Sequence, residues 1–275
     1  MMNRLMISIV GCLALLLIIS VNAEELFHPA QRLWTPQTDA VYGKLYLVMK
    51  RTVHLVQDAT ISAVASAPAK TNRLMVLQQN LYALTESGLY QWDKTTWTRL
   101  SELPIIDLCL HRGVLHAATA EDIYRLDQGK LVDIKPKGGY LSSDITVVMA
   151  DGSQVLSDPV RLGPLQGIDS YSGTIYALRP GKLVLFDGSI VNENHLDWGA
   201  LASPNTSDML AIGSRLYIST DRGLSVLRGA AMTTLNGSDG LPFEETTCLA
   251  KGFSNDLWIG TTTGVVRMLE KEWHY

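Results

Sequence analysis

Cysteine is scarce: three residues in 275, one of them (Cys12) inside an apolar N-terminal run. A chain this long with only Cys109 and Cys248 beyond that run has no disulfide framework. No histidine stands at metal-ligand spacing beside either thiol, so a zinc site of the usual kind is not expected. There is no glycine-rich phosphate loop and no Gly-x-Ser-x-Gly nucleophile elbow. Charge of one sign is also lacking. The 23 basic and 27 acidic side chains give a net charge of −4 and are interspersed, so no basic stripe marks a nucleic-acid partner. Past the N-terminal run, no apolar stretch approaches the length of a membrane span.

That run has its own logic. Arg4 supplies one positive charge, Leu5 to Val21 is almost wholly apolar, and Val21-Asn22-Ala23 offers small residues where a signal peptidase cuts. Residues 1–23 are read as a signal peptide, leaving 24–275 as one domain, exported and periplasmic or extracellular, with no membrane attachment after cleavage. An uncleaved anchor helix is the alternative. So is a chain that forms the N-terminal part of a longer protein.

What the chain has in quantity is a repeat. With Leu257 as anchor, equivalents stand at Leu45, Leu81, Leu115, Ile175 and Leu216. The next residue is always a ring: Tyr46, Tyr82, His116, Tyr176, Tyr217 and Trp258. Threonine stands four after the anchor at Thr85, Thr119, Thr220 and Thr261, and glycine seven after it at Gly88, Gly223 and Gly264. The last two intervals are both 41 residues (216 − 175 and 257 − 216), and a proline enters most units. From Leu115 to Ile175 is 60 residues, long enough to hide a degenerate copy near Val147. The last unit, 239–273, reads as three short strands joined by tight turns: Thr246 to Ala250, Leu257 to Thr261 and Val265 to Leu269. Anchor strands are apolar on both faces, so each unit must be covered on both sides by its neighbours. Short strands at this period predict an all-β fold, a β-propeller of six or seven blades, each a small antiparallel meander. The ring column is expected to fill the space between blades, Trp258 at the closing seam included. Leu33-Trp34 is expected to add a closing strand to the last blade.

Asn255 to Val265, with Gly240-Leu241-Pro242 ahead of it, resembles the propeller repeat of the two-component regulator type. The likeness is clear over 239–273, weaker over 214–227, and elsewhere limited to the skeleton. It implies a sensory propeller of an exported signalling region, and it carries no catalytic residues to transfer.

Few residues suggest chemistry. His195, Asp197 and Trp198 share the polar loop from Asn192 to Ala200, where a His–Asp pair beside an indole could hold a sugar by hydrogen bonds and stacking; a solvated loop with one packed Trp is the competing view. His111 and His116 flank a turn at Arg112-Gly113, so their rings can approach each other. Cys109 and Cys248 are expected as separate reduced thiols. No cofactor, metal or catalytic residue is indicated. The expected function is an exported binding or scaffold module, a ligand-sensing protein of the periplasm, with a small molecule, glycan or protein at one end of the axial channel. The competing function is an exported carbohydrate-active enzyme, a lyase or hydrolase, which requires titratable side chains converging in that channel.

Overall fold

β-branched and aromatic runs of five or six residues, separated by two-residue turns, pair most readily with their neighbours in sequence. The computed structural model describes residues 34–36, 45–49, 51–57, 60–142, 161–192, 200–237, 241, 245–252, 255–262, 265–269 and 272–274. Among them the strands form six sheets. The first holds β1 (Trp34–Pro36), β2 (Leu45–Met49), β3 (Thr52–Gln57) and β4 (Thr60–Ser66). The second holds β5 (Thr71–Leu77), β6 (Asn80–Thr85), β7 (Gly88–Trp92) and β8 (Trp97–Ser101). The third holds β9 (Asp107–His111), β10 (Val114–Ala118), β11 (Ile123–Asp127) and β12 (Lys130–Asp133). The fourth holds β13 (Leu141–Ser142), β14 (Gly167–Tyr171), β15 (Thr174–Arg179), β16 (Lys182–Phe186) and β17 (Ile190–Asn192). The fifth holds β18 (Thr206–Ile212), β19 (Arg215–Thr220), β20 (Gly223–Arg228) and β21 (Ala231–Leu235). The sixth holds β22 (Thr246–Lys251), β23 (Leu257–Thr261), β24 (Val265–Leu269) and β25 (Glu272–His274).

This is an all-β propeller. Five sheets follow one another from Thr71 to His274, and the first sheet lies between the second and the last. Each sheet begins with its innermost strand, except the fourth, where β13 lies at the outer edge and β14 is innermost. β1 lies beside β5 and β22, β5 beside β9, β9 beside β14, β14 beside β18, and β18 beside β22.

The structure amends the sequence reading in three places. Units are four-stranded antiparallel sheets rather than three-stranded ones. The missed strand is the outermost, which faces solvent: β12 is exposed at three of its four residues, with no apolar face to reveal it. The N-terminal segment does not complete the last sheet. Trp34–Pro36 pairs with β2 in the first sheet, and the last sheet has its own fourth strand, Met268 opposite Trp273. Third, the 60-residue interval is partly taken up by β13, which joins the outer edge of the fourth sheet parallel to β17. The degenerate copy expected near Val147, like the signal peptide, falls outside the described residues.

The repeat columns acquire physical reasons. Anchor strands bury both faces; β19 is buried over its last five residues. The rings of Tyr46, Tyr82, His116, Tyr176 and Tyr217 are all buried. Trp258 departs from the column, being half-buried. Its Nε1 donates to Asp256 Oδ2 at 2.8 Å and its ring is covered by the Arg267 guanidinium at 5.4 Å. The threonine column closes the second hairpin in two of the units: Thr85 Oγ1 donates to the Gly88 carbonyl at 2.8 Å, and Thr220 Oγ1 to the Gly223 carbonyl at 2.6 Å. The glycine column is set by the fourth strand. Gly223 has φ +113°, and a Cβ there would stand 2.4 Å from the Leu235 carbonyl oxygen. Gly223→Ala is therefore expected to cost about 2 kcal/mol, read as a lower unfolding midpoint in urea with an unchanged m-value. A neutral substitution would overturn the close-approach explanation.

A polar cavity on the propeller axis

The innermost strands carry the polar residues of the interior. They enter their sheets in register, so equivalent positions form rings around the axis. One ring lies opposite the third residue after each anchor: Arg73 faces Leu84, Asp107 faces Ala118, Gly167 faces Leu178, Asp208 faces Ser219 and Cys248 faces Gly260. A second ring lies opposite the aromatic column: Met75, Cys109, Asp169, Leu210 and Ala250.

Arg73 and Asp107 form a buried ion pair, Nη1 to Oδ1 at 2.5 Å, with side chains 6% and 2% exposed. Burial alone would push the Arg73 guanidinium down. Asp107, and beyond it Asp208, Cys248 and Asp169, outweigh that and hold it above its ordinary range. Its Nε is buried and has no hydrogen-bond partner.

Three aspartates share one job. Asp107 accepts from its own neighbour's amide, Leu108 N at 2.9 Å, and from Ile168 N of the next sheet at 3.0 Å. Asp169 accepts from Ser170 N at 2.7 Å and from Ala211 N of the next sheet at 2.6 Å. Asp208 accepts from Met209 N at 2.7 Å and from Leu249 N of the next sheet at 2.8 Å. Innermost strands of a propeller do not ladder with one another, which leaves their inner amides without backbone partners. Each carboxylate satisfies two of them and ties two blades together. Gly167 belongs to this device, because a Cβ there would lie 2.9 Å from Asp107 Oδ2, in the path of the crossing carboxylate.

Above the ion pair the axis opens into a cavity of about 310 Å³, whose walls include Arg73, Asp107, Cys109, Asp169, Ala250 and Lys251. It lies toward the end where the first hairpin of each blade turns. Those turns are built from residues of positive φ, such as Arg112 with Gly113 and Ser172 with Gly173, the type I′ geometry that suits twisted strands. Adjacent turns are fastened to each other: Gln78 Nε2 donates to the Gly113 carbonyl, and Arg112 Nη2 to the Gly173 carbonyl, both at 3.2 Å. Asp169 is only partly covered as a residue, because one side faces the cavity. Protein surrounds it otherwise. Desolvation pushes its pKa up to about 7, opposed by the two amide bonds and raised further by the nearby Asp107 charge.

His195, Asp197 and Trp198, the residues expected to hold a ligand, lie outside the described residues; β17 ends at Asn192. His111 and His116 do come together, ring centroids 5.7 Å apart and edge to face. His111 Nδ1 is 2.9 Å from Ser170 Oγ, and His116 Nδ1 donates to the Val114 carbonyl at 3.1 Å. Burial pushes both imidazoles below their ordinary pKa, helped by Arg112 for His111. Cys109 and Cys248 form no disulfide. They occupy the third and sixth sheets, and burial pushes the Cys109 thiol well up, with Asp169 and Asp107 adding to it. Among the described residues no group of three or more His, Cys, Asp or Glu is placed to hold a metal ion.

Sequence reasoning passed over Arg73, Asp107, Asp169 and Asp208. A signal existed: Arg73, Asp107 and Asp208 each stand eight residues before an anchor, at 81, 115 and 216. Asp169 carries no such signal, since it occupies the other ring.

No protein-family model matches the chain, and no curated protein sequence matches it. Solved structures do. A streptogramin B lyase superposes with a TM-score of 0.59 at 10% identity, over 90% of this chain and 82% of that one. The extracellular domain of a putative one-component system from B. thetaiotaomicron superposes with a TM-score of 0.56 at 14% identity; the match covers 82% of this chain but only 31% of that one. A gluconolactonase from Xanthomonas campestris superposes with a TM-score of 0.54 at 17% identity, over 86% of each chain. At these identities the likeness is one of fold, and the fold these proteins share with this chain is the β-propeller.

Proposed function

We propose that this protein is an exported ligand-binding propeller, a sensory module of the periplasm or cell exterior, whose site is the axial cavity above the Arg73–Asp107 pair. Its ring counts six blades, the first sheet included. The observation that carries the reading is the axial cavity itself, about 310 Å³, with Arg73, Asp169 and Lys251 among the charged residues at its walls. Export is supported by the leader-like composition of residues 1–23 and by the fold shared with the extracellular domain of a sensor.

Calorimetric titration of the full chain against a mixed panel of amino acids, organic acids, polyamines and sugars tests this. At least one compound is expected to bind saturably, and Ala250→Leu, which adds bulk at the cavity wall, is expected to weaken that binding. No binding by any class would leave a scaffold and overturn the ligand reading.

A second reading, a carbohydrate-active enzyme, is favoured by one observation: Asp169, with a pKa near 7, is poised as a general acid facing the cavity. Glycoside hydrolysis needs a second available carboxylate. Asp107 is the nearest described candidate at the cavity wall, and its oxygens are already held by Arg73, Leu108 N and Ile168 N. Incubation with a polysaccharide panel is accordingly expected to release no reducing ends; release lost in Asp169→Asn would reverse the order of the two readings.

A further inference from the structure

We propose that His111 and His116 form an open transition-metal site between the third and fourth sheets, where a divalent ion such as Cu(II), Ni(II) or Zn(II) is held by the two Nε2 atoms and by water or a small anion. The site is separate from the axial cavity and does not depend on what the cavity binds.

Strand register brings the rings together. His111 stands opposite Val114 across the β9–β10 hairpin, and His116 follows Val114 by two residues. Side chains alternate between the faces of a strand, so His111, Val114 and His116 share one face. It is the face turned toward β14, where Ser170 meets His111. The ring centroids are 5.7 Å apart. Two imidazoles bound through nitrogen to one ion at about 2.0–2.1 Å place their centroids roughly 4.5–6 Å apart. The pair therefore stands at ligating separation without any movement of the backbone.

The ring nitrogens supply a second observation. Each Nδ1 is occupied: that of His111 by Ser170 Oγ at 2.9 Å, that of His116 by the Val114 carbonyl at 3.1 Å. A hydrogen bond at one ring nitrogen orients the imidazole and leaves the other nitrogen to ligate, the arrangement typical of metal-bound histidines. Neither Nε2 has a protein partner among the described residues, and neither is sealed from solvent. Burial holds both rings below their ordinary pKa. At neutral pH they are neutral bases, the form a metal ion takes.

The surroundings choose the ion. Among the described residues no third His, Cys, Asp or Glu joins the pair, so the remaining coordination positions are open, as in sites that exchange ligands rather than structural ones. Arg112 lies close enough to act on His111, and Arg125 on His116. Hard ions such as Mg²⁺ and Ca²⁺ need several oxygen ligands, and here they would meet two guanidinium groups and no carboxylate. A transition metal bonded directly to nitrogen tolerates that charge, and an anionic co-ligand offsets it. Imidazole suits Cu, Ni and Zn, with Cu(II) bound most tightly.

The test titrates the untagged full chain with Cu(II) alone, at neutral pH in a non-coordinating buffer, by calorimetry and electron paramagnetic resonance. A single equivalent is expected to bind with nitrogen couplings from two imidazoles, and Mg²⁺ or Ca²⁺ in excess is expected not to displace it. His111→Ala is expected to weaken binding about tenfold or more and to remove one imidazole coupling. His116→Gln is expected to do the same, and a metal-free thermal melt shows whether that buried position still folds. If it does not, His111→Ala, at the half-buried end of β9, decides alone. Ser170→Ala loosens His111 without removing a ligand, so it is expected to weaken binding by a smaller factor and to keep both couplings. Absence of Cu(II) binding overturns the proposal. So does binding that His111→Ala leaves unchanged in affinity and couplings, which would place the ion on another histidine as an adventitious surface ion.

Discussion

Arg73→Met is expected to lower the unfolding free energy by about 3–5 kcal/mol, the range for breaking a buried ion pair by removing one partner. Methionine replaces the aliphatic stem, so lost packing is a small part of the effect. The larger part is Asp107, whose side chain is 2% exposed and loses its guanidinium partner. Its bonds to Leu108 N and Ile168 N remain, but they are dipoles, and they must then carry a full buried charge. For a chain of this size the melting temperature should fall by on the order of 10 °C. The pair itself need not be strongly stabilising, since desolvation offsets most of its attraction. Arg73→Met combined with Asp107→Asn is therefore expected to recover much of the loss, because the new side-chain amide is uncharged and its oxygen still accepts from one inner amide. Urea unfolding of the two single variants and the double variant gives the coupling. A single-variant loss under about 1 kcal/mol would mean that the pair is effectively solvated and that the cavity floor is not dry.

The second large effect is on pH. The Asp169 carboxyl has a folded pKa of about 7 against an ordinary 3.8. Between those values the folded protein holds a proton that the unfolded chain has released. Stability from this group is thus complete below about pH 4 and is lost as pH rises toward and through 7. A shift of about three units corresponds to about 4 kcal/mol, and exposure toward the cavity reduces this to about 2–4. Other groups act in the same range or below it. His111 and His116, held down by burial, add stability as pH rises toward their ordinary value. The surface carboxylates Asp187 and Asp221, held down, lose stability only below the ordinary carboxylate range. The clean measurement is a difference: unfolding free energy of wild type minus Asp169→Asn, from pH 4 to 8. That difference is expected to fall steadily with rising pH. The variant has a constant deficit of its own, because an amide supplies one acceptor where Ser170 N and Ala211 N need two. A flat difference would show that Asp169 titrates as an ordinary surface carboxylate.

The sequence by itself determined the fold class and its period. Leu257, its equivalents and the rings after them recur because every anchor strand must be apolar on both faces to sit between blades. That demand is local, identical in each unit, and written into single residues. Thr220 and Gly223 were legible for the same reason: one hairpin fixes both. The tertiary structure decided what no single unit contains. The outer strand β12 is exposed at three of its four residues and needs no apolar pattern, so it left no trace in the residues. The polar interior is a property of the ring. Arg73, Asp107 and Asp208 stand at one repeat position, but a charged residue in a strand reads as exposed until the ring closes around it. Asp169 differs from its column-mates Met75, Cys109, Leu210 and Ala250, and only the distance to Ala211 N, 42 residues on, explains why an acid stands there. Residues far apart in the chain meet at the axis because closure brings every innermost strand to the same line, and the carboxylates then answer inner amides that no ladder can reach.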